Sequence, residues 1–97
     1  KLCVTEFGWA TTEGVGGTPA GFSFADDNTL AEQAEWIVRA YQLQQEWGIT
    51  WLAFLWNLDY GPKGLGPDDN NVPYSILTYP EGKPRPAFEA LEVMPKP

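Results

Sequence analysis

At 97 residues the chain is long enough for one small domain and too short for two, and 43% hydrophobic and 14% aromatic residues supply a packed core. Six basic against thirteen acidic side chains leave a net charge of −7, which argues against nucleic acid or an anionic membrane as a partner. No histidine and one cysteine exclude His-based triads, imidazole zinc sites and an internal disulfide, so no metal or cofactor is expected.

The first predicted element is a strand over residues 2–6, with Glu6 at its end. A strand that begins at the second residue, with no looser polar stretch before it, implies a piece of a longer protein. Cys3 is expected to pack inertly against a helix. Residues 7–28 read as loop, punctuated by Gly8, Gly14, Gly16, Gly17, Pro19 and Gly21. Within it Glu13, Asp26 and Asp27 are expected to face solvent. Thr29 and Glu32 have the spacing of a capping box, and the stripe Leu30, Ala34, Ile37, Tyr41, Gln44 predicts a helix over 30–47. Gly48 stands where a left-handed cap residue ends it.

After Ile49 the run 50–56 is apolar on both faces, as in a parallel strand buried on both sides. Period 2 puts Trp56 on one face with Phe54 and Leu52, and turns Trp51 toward the helices. Residues 57–85 are again loop. Their cluster Asp68-Asp69-Asn70-Asn71 departs from a calcium loop at Val72. Pro86 suits the first turn of a last helix over 86–93.

The order strand, long loop, helix, tight turn, strand, long loop, helix gives an α/β fold: two consecutive βα units with parallel strands and right-handed crossovers. Both long loops follow strands, so they gather at the C-terminal end of the sheet, where α/β folds place their ligands. Glu6, Trp9, Trp56, Asn57 and Asp59 fall at that end. Each also has a plain structural reading. Glu6 can be a solvated strand-end carboxylate, Trp56 a core residue, Trp9 a pin for its loop, and Asn57 and Asp59 turn residues. Two parallel strands leave open edges and apolar faces, so the chain needs either more sheet or another copy of itself.

Thr5-Glu6-Phe7-Gly8-Trp9 at one strand end, Phe54-Leu55-Trp56-Asn57 at the next, and the closing run Gly82-Lys83-Pro84-Arg85-Pro86-Ala87-Phe88-Glu89-Ala90-Leu91 resemble the C-terminal quarter of a clan A glycoside hydrolase. This group of (β/α)8 TIM barrels includes cellulases, β-xylosidases and β-glucosidases. The resemblance implies strands seven and eight of an incomplete barrel, the remainder being an absent partner, and an oligosaccharide or glycoside as substrate. It implies that Glu6 is the nucleophile of a retaining enzyme, with the acid/base outside this chain and the isolated chain inactive. It further implies that Trp56 forms the floor under the sugar, followed by a cis bond to Asn57. Trp9, Asn57 and Asp59 are candidate substrate contacts. Two other readings share the architecture: a non-catalytic carbohydrate-binding element using its aromatic platforms, and an assembly element pairing through exposed strands.

Overall fold

The computed structural model describes residues 1–97 as a mixed α/β fold. Strand β1 (Leu2–Phe7) pairs in parallel with β2 (Thr50–Leu55), and between them runs α1 (Leu30–Trp47). A single turn of helix, α2 (Tyr60–Lys63), and the closing helix α3 (Pro86–Val93) follow. The loop segments contain two short 3-10 turns, Ser23–Asp27 and Val72–Tyr74. No helix is long and apolar enough to cross a membrane.

Helix α1 begins and ends through the chemistry of its own residues. The Thr29 hydroxyl accepts from the Glu32 amide and the Glu32 carboxylate accepts from the Thr29 amide, at 3.0 and 2.9 Å. Gly48 closes it with φ 68°, a left-handed conformation that glycine adopts without a Cβ penalty. Ala34 and Ile37 of α1 meet Ile76 and Ala87, and Tyr41, Leu55, Phe88 and Leu91 pack around them. The core therefore lies between α1, α3 and the loop before α3, rather than on the sheet.

Strand β2 differs from expectation. It ends at Leu55, one residue early, and neither face is buried: Trp51 is 70% and Phe54 52% exposed. Trp51 stands on the helix side, in a shallow groove with Tyr41 and Leu91, but nothing covers it. A two-stranded sheet supplies only one neighbour per strand and no second layer over its other face. Cys3, expected to pack against a helix, is likewise exposed. Strand β1 runs one residue further than expected, to Phe7, and is irregular: Val4 pairs with Ala53 but Phe7 with Leu55, three steps against two. Glu6 lies inside this bulge.

Candidate functional site

The end of the sheet that carries Glu6 is shaped by close approach of the two strand ends. The Trp56 amide donates to the Phe7 carbonyl at 2.8 Å, extending the ladder past β2. A Cβ on Gly8 would run into the Trp56 carbonyl, so only glycine lets the chain leave β1 there. The Trp56–Asn57 peptide is cis. The bulge at Thr5 and Glu6 breaks the simple alternation of β1, a device that re-aims side chains at sheet ends.

Glu6 and Trp56 line one cavity of about 310 Å³. Phe22 from the first long loop and Asn70, Asn71 and Tyr74 from the second complete its wall. Glu6 is the one carboxylate in that lining and makes no hydrogen bond or ion pair within the chain. Glu6 is exposed, as its solvated strand-end reading also expects, and the wall offers an unpaired carboxyl, aromatic faces and neutral amides, and no cation. Such a set suits an uncharged polyhydroxylated ligand with apolar C–H faces. No cluster of three or more Cys, Asp or Glu converges as a metal site.

The other sequence candidates fall elsewhere. Trp9 stacks edge-on against Phe7 and tilted over Trp36, with both ring centroids 6.3 Å away, in a groove between β1 and α1. That groove is larger, about 650 Å³, but almost wholly apolar, with Arg39 its only charged residue. It offers surface rather than chemistry. Asn57 is 4% exposed and has both ends of its amide engaged: Oδ1 accepts from the Tyr60 amide, and Nδ2 donates to the Asn71 carbonyl. Asp59 is paired with Lys63 at 2.6 Å, a contact that raises the lysine pKa above its ordinary value. Neither lines the Glu6 cavity. Asn57 matches the turn reading, whereas the Asp59 carboxylate is engaged by Lys63.

The loops around the cavity are held by buried polar cross-links. Arg85 is 2% exposed and donates through Nη1 to the carbonyls of Pro73 and Ser75, at 3.1 and 2.9 Å. Burial pushes its pKa down to about 10, which leaves the guanidinium cationic at neutral pH. The buried Gln33 donates through Nε2 to the Trp9 carbonyl at 3.0 Å, and the Thr11 amide reaches the Pro73 carbonyl at the same distance. These contacts join the first loop, α1 and the second loop. In the first loop, Thr12 and Thr18 both donate to Asp26 at 2.6 Å, holding its carboxyl below the usual range. The Glu13 carboxylate accepts from the Leu30 amide at the start of α1, at 2.7 Å. Asp26 and Glu13 are exposed as expected, yet they tie the loop to itself and to the helix.

The lining residues not expected at this site, Phe22, Asn70, Asn71 and Tyr74, all sit in segments without periodicity. Asn70 and Asn71 carried one signal, an oxygen-rich cluster next to a long strand-end loop. Compared with protein families, characterised proteins and solved structures, the chain matches none.

Proposed function

We propose that this chain forms the closing quarter of a retaining β-glycosidase barrel, with Glu6 as the nucleophile. The observation that carries the reading is the meeting of Glu6 and Trp56 on one cavity at the C-terminal end of parallel strands. In double displacement, a Glu6 oxygen attacks the anomeric carbon and the glycosidic oxygen leaves with a proton from a second carboxyl. Water then releases the sugar from the ester. The second carboxyl must stand about 5–5.5 Å from the first. No other carboxylate lines this cavity, so that group comes from outside these residues, as do further strands to cover the exposed sheet. Trp56 provides an aromatic face for the sugar ring, and the neutral amide of Asn70 suits its hydroxyls.

A 2-fluoroglycoside incubated with the complete protein tests the proposal. The expected result is a mass increase of one glycosyl unit on the peptide containing Glu6, lost in Glu6→Gln. Saturable sugar binding without labelling would favour a carbohydrate-binding element instead. The 97-residue chain alone is expected to turn over no aryl glycoside.

A further inference from the structure

The Trp56 ring has two neighbours. Tyr60 lies beside it, with ring centroids 5.4 Å apart and planes inclined by 40°. At its edge, the indole Nε1–H donates to Asn71 Oδ1 at 3.3 Å. The main chain of Asn71 is itself fixed: its amide donates to Asp69 Oδ1 at 2.9 Å, and its carbonyl accepts from Asn57 Nδ2 at 2.7 Å. Asp69 accepts a second amide, from Leu65, and the two together hold its carboxyl below the usual range, so it is an anionic acceptor at neutral pH. The Asn71 side-chain oxygen thus accepts from the indole off an anchored stretch of main chain, at a place that favours one orientation of the ring.

We propose that Asn71 is the positioning residue that sets the plane of Trp56 beside Glu6. The assignment deepens the glycosidase reading and rests on it for its consequence, which is that the indole presents its face to the sugar without having to be ordered on binding. Asn71 acts through Trp56 and not on the reacting atoms. Its backbone contacts survive side-chain substitution, while its side chain also borders Asp69, so the Leu and Asp variants are compared with each other and not only with the parent.

The test uses the complete protein labelled with 15N-tryptophan, with the Trp56 indole signal assigned by its loss in Trp56→Phe. Asn71→Leu is expected to speed hydrogen exchange of that indole proton by about 3- to 10-fold, the span of one neutral hydrogen bond. Asn71→Asp keeps an acceptor oxygen and is expected to remain within about 2-fold of the parent. The other indole signals report folding, and if Asn71→Leu disturbs them all, the smaller Asn71→Ala carries the same comparison. Unchanged exchange in the acceptor-free variant, or equal acceleration in the Leu and Asp variants, overturns the assignment. For glycoside turnover, Asn71→Leu is expected to raise KM several-fold with kcat nearly constant, and an effect on kcat alone overturns the positioning role. A selective indole response in a protein whose Glu6 takes no fluoroglycoside label upholds the Asn71–Trp56 contact and removes the glycosidase reading.

Discussion

At the loop end, the buried Arg85 and Gln33 tie backbone carbonyls from two different loops, while in the sheet two strands hold only each other and Trp51 and Phe54 stand in solvent. Loops are commonly the least stable parts of a domain and strands the most. Here the irregular segments carry their own cross-links, and the two strands lack the layers that would bury them. The difference teaches that the order of the candidate site comes from cross-links within these 97 residues, while the sheet leaves apolar side chains in solvent.

The sharpest way to break this contrast is Arg85→Ala. It removes two charge-assisted hydrogen bonds from buried carbonyls, leaving Pro73 the Thr11 amide and Ser75 only the long Gln33 contact. The expected loss is about 3–5 kcal/mol, measured by urea denaturation. Arg85→Lys keeps the charge but replaces a planar fork with a single ammonium, and an intermediate loss is expected. A cost below about 1 kcal/mol for the alanine variant would mean that the loops are ordered by something other than this guanidinium.

A smaller effect is expected from Gly8→Ala. The added methyl meets the Trp56 backbone carbonyl, which cannot swing aside as a side chain can, so the ends of β1 and β2 must separate. A loss of about 2 kcal/mol is expected from the same denaturation measurement. Because the shift falls between Glu6 and Trp56, it should also abolish fluoroglycoside labelling in the complete protein. Full labelling in Gly8→Ala would show that the spacing of the strand ends does not govern the site.

The same contrast separates what could be read in the sequence from what could not. Helix α1 was legible at both ends because its signals are local: a capping box four residues long and a glycine at the left-handed position. The parallel strands and the strand-end places of Glu6 and Trp56 followed from element order, while their pairing was expected from the family resemblance. The bulge at Glu6 was not legible, since register depends on the partner strand. Nor was the role of Gln33, which lies beside the apolar stripe of α1 and looks like a wet residue until the carbonyls of the loops converge on it. Arg85 was read as part of a family-like closing run, not as a buried donor. Asn57 and Asp59 had the composition of both turn and ligand-binding residues; Asn57 engages its amide in the turn, and Asp59 pairs with Lys63.

The smallest expected effect sharpens the comparison from the sheet side. Trp51 loses little on mutation if its face is open, and threonine suits a strand, so Trp51→Thr in the 97-residue chain is expected to change stability by no more than about 0.5 kcal/mol. In the complete barrel proposed above, the same indole would be covered, and its replacement is expected to cost about 3 kcal/mol or more, as other large-to-small core changes do. The two denaturation curves together therefore measure how much cover the sheet receives from outside these residues. A large loss in the short chain would mean that Trp51 is already buried in solution, and sedimentation would then reveal a second copy lying on the sheet. Equal, small losses in both would leave this face open in the longer protein too, and the barrel reading would lose its structural support.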